Sequence, residues 1–298
     1  MVSGQKPVIT NKVPLPELRI PLQNLFLISL IFALLKTSSW AQTVVSEEQA
    51  KAGRDDDRLH VGLVITTPPR SYYVNSDPNQ PLTGYEPDIL NEIAKRIGKE
   101  IVYYDVAWAG LFTGLLAQKW DVAASNIFIN EDRLEMMDFS EPHFDTGMGV
   151  LVGVNSSITS LQDLKNKTLG VDIGSGAEVW LRENMNRYGP YRIQSYNGTP
   201  DVFLDVQTGR LDGGVSDLSI IDWYIESHKS RLKRGTTLGE FYNVGFAFRK
   251  RSPLIDDVTK AIREMKQDGT IGEIYFKYHG VYPDKNNSAY ILYDQEKK

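Results

Sequence analysis

Apolar and polar positions along this chain follow two periods in turn. His60–Ile65 is a short run of β-branched character, and Pro87–Ile97 then sets Ile89, Leu90, Ile93, Ala94 and Ile97 on one helical face, with Pro87 suited to a first turn. The pattern predicts a strand at Ile101–Tyr104, a helix over Ala109–Gln118 with Leu111, Leu115 and Leu116 inward, and a buried strand at Asp121–Ser125. Asn130 is placed to cap a further helix. After residue 150, strands at Thr168–Val171, Ile193–Tyr196 and Gly213–Val215 alternate with helices near Ala177–Tyr188, Pro200–Thr208 and Ser219–Ser227. A strand at Val244–Arg249 and helices at Pro253–Lys266 and Thr270–Tyr278, split by Gly269, end the periodic region. Strands interleaved with helices imply an α/β fold with mainly parallel sheet.

No Pro/Gly/Ser linker divides the halves. Instead Met148–Gly153 and Val244–Arg249 read as strands running on between two regions. This predicts two doubly wound lobes joined by two hinge strands, with a cleft between them where the strands' carboxyl ends meet. The first lobe would take residues 58–148 and the return segment 245–282, and the second 149–244. Residues 42–57 read as a flexible lead-in and 283–298 as a polar tail.

Charge and the N-terminus narrow the picture. The formal net charge is −5, yet residues 1–41 set Lys6, Lys12, Arg19 and Lys36 against Glu17, so the acidity belongs to the remainder. An acidic body argues against nucleic acid as a partner, because phosphate binding needs clustered cations. With no cysteine there is no thiol catalysis, disulfide or Cys-ligated metal. The four histidines are scattered, so neither a metal nor a cofactor is expected. The apolar run Leu25–Leu35, basic before and followed by Ser39-Trp-Ala41, has the parts of a secretory signal. It is shorter than the roughly 20 residues that span a bilayer. An exported protein beginning near Gln42 is expected.

At this point the residues fit a known series. Gly84-Tyr-Glu-Pro-Asp-Ile-Leu-Asn-Glu-Ile-Ala94, Trp108-Ala-Gly-Leu-Phe-Thr-Gly-Leu115, Asn130-Glu-Asp-Arg133, Met137-Asp-Phe-Ser-Glu-Pro142, Leu161–Val171 and Leu211-Asp-Gly-Gly-Val-Ser-Asp217 follow one another in order. Together they resemble the family 3 extracellular solute-binding proteins, the polar amino acid receptors of ABC transporters, over residues 58–282. The resemblance implies a type II periplasmic-binding-protein fold, a periplasmic location, a small polar ligand such as an amino acid, a permease as membrane partner, a monomer and no catalysis.

A zwitterion needs a cation, an anion and a wall. Arg133 offers a planar fork for a carboxylate at a helix start; position alone favours a solvated arginine balanced by Glu131 and Asp132, and the resemblance reverses that in favour of ligand contact. Asp217, at the end of a short buried strand, is the partner the resemblance assigns to an α-ammonium, and it also suits a helix N-cap. Gly174-Ser175-Gly176 reads either as an anion nest or as an ordinary strand-to-helix turn. Ser125 and Asn126 follow a strand into the same cleft. Trp108 matches an aromatic ligand contact in the resemblance and otherwise reads as core.

The pocket also departs from the family pattern. Phe128 stands where a Ser or Thr is usual, Thr67 and Arg70 replace an aromatic pattern, and His143-Phe144 replaces Tyr-Tyr. Arg70 suggests a ligand with an extra acidic group, and Tyr72 and Tyr73 are candidates to restore the wall. Two other readings stay open: a cyclohexadienyl or arogenate dehydratase on this scaffold, with Arg70 and Arg133 holding a dianion and Glu178 as acid, and a sensing module that delivers ligand to a receptor.

Overall fold

The computed structural model describes residues 43–45, 57–228 and 231–293. The signal sequence proposed for residues 1–41 lies outside them. In chain order the elements are β1 (Thr43–Val45), β2 (Leu59–Leu63), β3 (Tyr72–Tyr73), β4 (Leu82–Thr83), α1 (Tyr85–Arg96), β5 (Ile101–Asp105), α2 (Trp108–Leu116), β6 (Val122–Ala124), α3 (Glu131–Met136) and β7 (Met137–Phe139). There follow β8 (Phe144–Gly153), β9 (Thr168–Asp172), α4 (Gly176–Glu183), α5 (Met185–Tyr188), β10 (Arg192–Tyr196), α6 (Thr199–Gln207), β11 (Gly213–Asp217), α7 (Leu218–His228) and β12 (Leu232–Val244). The series ends with β13 (Ala247–Arg249), α8 (Ile255–Gln267) and α9 (Thr270–His279).

Two sheets result. The first runs β1-β5-β2-β6-β13-β7, parallel from β1 to β6 and antiparallel where β13 returns. The second runs β10-β9-β11-β8-β12, parallel across β10, β9 and β11 and antiparallel at β8 and β12. Each is covered on both faces, as a doubly wound sheet must be. On the first, Ile89, Leu90 and Ile93 of α1 pack with Ile262 and Met265 of α8 on one side, while Leu111 and Leu115 of α2 close the other around Trp120. On the second, Leu181 of α4 packs one face, and Val202, Phe203 and Ile221 of α6 and α7 pack the opposite one. Trp120 needs two glycines: a Cβ at Gly62 or Gly114 would sit 2.5 or 2.0 Å from its ring.

The chain crosses between the sheets earlier than the pattern predicts. Met148–Gly153 is not a crossing but the inner part of β8, a strand of the second sheet with nearly every residue buried. The crossings are Ser140–His143 and Gly245–Phe246, and they bind each other: Ser140 N–H donates to Phe246 O (2.9 Å) and His143 N–H to Val244 O (2.9 Å). A continuous apolar run conceals where a strand changes sheets.

Two further expectations are corrected. The lead-in is not wholly free, since Thr43–Val45 pairs in parallel with Val102–Tyr104 of β5. The described part of the polar tail, residues 283–293, is docked, with Ala289 and Ser288 fully buried. Ser288 N–H donates to Asp145 Oδ2 (2.7 Å), and Asn243 Nδ2 reaches Asp145 Oδ1, Ser288 Oγ and Tyr293 OH at 2.7–2.8 Å. Tyr293 N–H donates to Glu141 Oε1 (2.8 Å), which also receives the buried Lys266 Nζ (3.1 Å). Residues 283–293 thus tie α8 to Glu141 in one crossing and to the strand ends beside both.

Candidate functional site

The carboxyl ends of the parallel strands face one cleft, partly open to solvent. It is lined by Arg70, Trp108, Ser125, Asn126, Phe128 and Arg133 from the first sheet's side and by Asp172, Ser175, Gly176 and Asp217 from the second's. Of the residues singled out in the sequence, Thr67, Tyr72, Tyr73, Gly174 and Glu178 lie off this lining, and Thr67 is the one proposed to touch ligand in its own right. It faces an adjoining pocket with Pro68 and Thr199 and turns its buried hydroxyl onto Arg70 Nη2.

The first wall is a loop held in an unusual backbone shape. Ser125 and Asn126, just past β6, have φ of 148° and 50°, which non-glycine residues rarely adopt. The buried Glu86 holds them there, its Oε1 accepting from Asn126 N–H (2.8 Å) and Ser125 N–H (3.2 Å). Burial pushes the Glu86 carboxyl up to about 7, against the opposing pull of the Arg70 cation. Glu86 was not singled out from sequence. The signal was available: it falls on the apolar face of α1, three residues before Ile89, where a charge has no reason to be unless something is held.

Arg70 is buried and donates through Nη1 to Ser125 O (3.2 Å). The loop that carries it crosses Gly84, whose φ is 136° and where a Cβ would lie 2.0 Å from Arg70 O. Only glycine permits that approach. Arg133 sits in the first turn of α3, with its N–H on the Asn130 Oδ1 cap (2.9 Å), as the sequence predicts. Its Nη1 donates to Phe128 O (2.8 Å), and its guanidinium lies 5.8 Å from the Trp108 ring and 5.2 Å from the Phe112 ring. Burial lowers its pKa to about 10, opposed by the Asp217 carboxylate, so it remains a cation at neutral pH.

The second wall supplies carboxyls. Asp217 ends β11 and accepts from Asn126 Nδ2 (3.1 Å) across the cleft. Burial raises it to about 6, while Arg70 draws it down. Asp172 ends β9, accepts from Thr199 Oγ1 (2.8 Å) through Oδ2, and is also raised, by burial. Sequence reading passed over Asp172 because it lies two residues before the glycine turn, where a polar residue is unremarkable.

The glycine turn is less of an anion nest than its composition suggests. Gly174 N–H donates to Glu178 Oε2 (2.6 Å), Ser175 N–H to Asp172 O (3.1 Å), and Ser175 Oγ accepts from Glu178 N–H (3.2 Å) as the N-cap of α4. The start of α4, at Gly176 and Ala177, still faces the cleft. The same bonds remove Glu178 as a candidate acid. Burial would raise it, but Gly174 N–H, Arg182 and Ser195 hold its pKa below the usual value.

Phe128 stacks on Tyr242 (centroids 4.9 Å apart, 10° between planes), so the departure fills a wall instead of offering a hydroxyl. Tyr72 and Tyr73 do not restore an aromatic wall; Tyr72 meets Trp223 (6.1 Å) outside the cleft. Across the cleft mouth, Trp108 Nε1 donates to Gly174 O (3.0 Å), joining the two walls a second time.

The model of the bacterial extracellular solute-binding proteins, family 3, matches residues 59–281. The L-cystine-binding protein TcyJ of Escherichia coli (strain K12) is 31% identical over 226 residues, covering 74% of this chain and 82% of that protein. An ancestral arginine-binding protein bound to arginine superposes with a TM-score of 0.70 at 31% identity, over 76% of this chain and 99% of its own. The ancestral amino acid-binding protein AncCDT-1, a precursor of cyclohexadienyl dehydratase, gives 0.67 at 26% identity, over 74% and 95%.

Proposed function

Because the chain belongs to the bacterial extracellular solute-binding proteins, family 3, we propose that it captures an α-amino acid outside the cytoplasm and passes it, as a monomer, to the permease of an ABC transporter. One observation carries this reading: Arg133 from the first sheet's side and Asp217 from the second's line the same cleft, with Asn126 already spanning it. The fork takes the ligand's carboxylate and the carboxyl its ammonium, so ligand contacts both lobes and favours closure about the paired crossings. Relatives named for cystine and arginine binding support the substrate class.

Export to the periplasm follows from the signal-like residues 1–41. Among the described residues, no helix is long and apolar enough to cross a membrane. The dehydratase alternative has a precursor among its structural neighbours, but the acid it would use, Glu178, is bound by three donors outside the cleft lining. Binding without catalysis is the reading these bonds support.

Titration calorimetry against the common amino acids, with small-angle scattering on the saturated protein, tests it. Binding with a smaller radius of gyration is the expected result. If no amino acid binds while prephenate is converted to phenylpyruvate, the reading is overturned in favour of the enzyme.

A further inference from the structure

Asn126 is gripped twice by the first turn of one helix. Glu86 accepts its backbone N–H (2.8 Å), and Tyr85, the residue before, donates its hydroxyl to the side-chain oxygen Oδ1. Tyr85 opens α1 directly after Gly84 and is 2% exposed. Its ring packs against Phe144 (centroids 5.3 Å apart) and His279 (5.5 Å). The ring is ordinary core. The hydroxyl adds nothing to that packing, and it is spent on a side chain that crosses the cleft to Asp217 Oδ2 (3.1 Å).

An amide has a donor end and an acceptor end, whereas an ionised carboxylate only accepts. Asp217 therefore needs the Nδ2 end of Asn126. Burial keeps the Tyr85 phenol protonated, so it is a donor and needs the Oδ1 end. Phenol and carboxylate select the same orientation of the amide between them. Without the phenol, Oδ1 would lose its donor, and the amide could turn its oxygen onto Asp217. That arrangement suits only the protonated acid, whose O–H it would accept. We propose that Tyr85 is a positioning residue for ligand capture: it fixes the Asn126 amide with its N–H end toward Asp217, and so holds that carboxylate in place for the ligand's ammonium. The ammonium rests on the amino-acid reading above, but the hold on Asp217 is measurable without ligand.

Burial raises Asp217, while Arg70, the Asn126 amide and Arg133 draw it down and Asp172 pushes it up. Glu86 on α1 feels its charge as well. Tyr85→Phe leaves all of these groups in place and frees only the amide's direction. The carbon-13 signal of the Asp217 carboxyl, followed by NMR against pH in the ligand-free protein, reads the result. Its midpoint should rise from about 6 in the parent by at least about half a unit in Tyr85→Phe. At neutral pH, calorimetry with L-arginine and L-cystine, for which relatives are named, should show binding weakened about fivefold. Added to Asp217→Asn, the same change should cost less than about twofold.

Thermal melts establish that the variant is folded. If it is not, Asn126→Ala and the double variant Tyr85→Phe/Asn126→Ala, which bury no unpaired amide, must share one Asp217 midpoint, and different midpoints overturn the inference. It is equally overturned by a smaller shift of the midpoint in Tyr85→Phe, or by a fivefold loss that persists undiminished beside Asp217→Asn. If neither amino acid binds the parent at millimolar concentration, the amino-acid reading falls, and the titration still decides what Tyr85 does to Asp217.

Discussion

On the wall formed by the first sheet, the cations of the cleft are anchored to backbone before any ligand arrives: Arg133 to Phe128 O, Arg70 to Ser125 O. Glu86 braces the strained turn at Ser125 and Asn126 from behind. On the wall formed by the second sheet, Asp172 and Asp217 end strands and are pushed by burial toward their neutral forms. One wall is a set of fixed positive donors; the other holds carboxyls whose charge is costly until something cationic enters. On the reading proposed above, a ligand carboxylate would meet a preorganised surface and its ammonium would add to the cations that already offset the second wall's carboxyls. The asymmetry would then give the two walls successive roles, docking and closure.

The largest test of that division is Arg133→Ala. Removing one partner of a desolvated charge pair costs about 2–5 kcal/mol, so binding should weaken about thirtyfold or more. Arg133→Lys should also be costly, because a single ammonium cannot replace both the fork toward the ligand and the bond to Phe128 O. Calorimetry that found Arg133→Ala within threefold of the parent would remove the docking role from the first wall.

Next comes the pH dependence of the second wall. With Asp217 raised to about 6, the group protonates as pH falls through that value and can no longer pair with an ammonium. Affinity should hold above pH 7 and drop by about tenfold per unit well below pH 6, one proton being taken up for each ligand released. In Asp217→Asn the affinity is lower throughout and this slope disappears. A slope that persists in the variant would assign the titration to another group, with Glu86, raised to about 7, the first to examine.

A smaller effect is expected at the mouth. Trp108→Phe keeps the ring contact with Phe112 but loses the hydrogen bond to Gly174 O. At about 1 kcal/mol for such a bond, ligand dissociation measured by stopped flow should quicken about fivefold. The smallest lies behind the wall. Ser175→Ala removes the α4 cap and should lower unfolding free energy by about 0.5–2 kcal/mol in urea melts. If affinity falls as far as in Asp217→Asn, the Ser175 hydroxyl touches ligand after all.

Most of the first sheet and its helices were legible because α1, α2 and α8 each bury one stripe and β2, β5 and β6 are short apolar runs between them. β12 was not. It is a thirteen-residue strand at a sheet edge, irregular in burial and interrupted by two register shifts, so neither alternation nor a continuous apolar run marks it. The site divides the same way. Arg133 and Asp217 stand in motifs whose spacing survives in the chain, and Asn130 announces its cap. Thr67, Gly174 and Glu178 bond to neighbours in the structure, a matter of side-chain direction that residue type does not encode. Asp172 and Glu86 become meaningful only once the fold shows what each faces.

The docked segment 283–293 has a consequence for how the molecule is assembled. β8 to β12 form one uninterrupted stretch of chain, so the second sheet has all its strands once residue 244 has emerged. The first sheet is still missing β13, and the bonds from Ser288 and Tyr293 to Asp145, Asn243 and Glu141 come later still. A chain threaded out N-terminus first therefore finishes its second lobe while the first is incomplete, and the joint between them is fastened last. Until then the two walls are held by the crossing bonds and by the contacts across the cleft, without the added hold of residues 283–293.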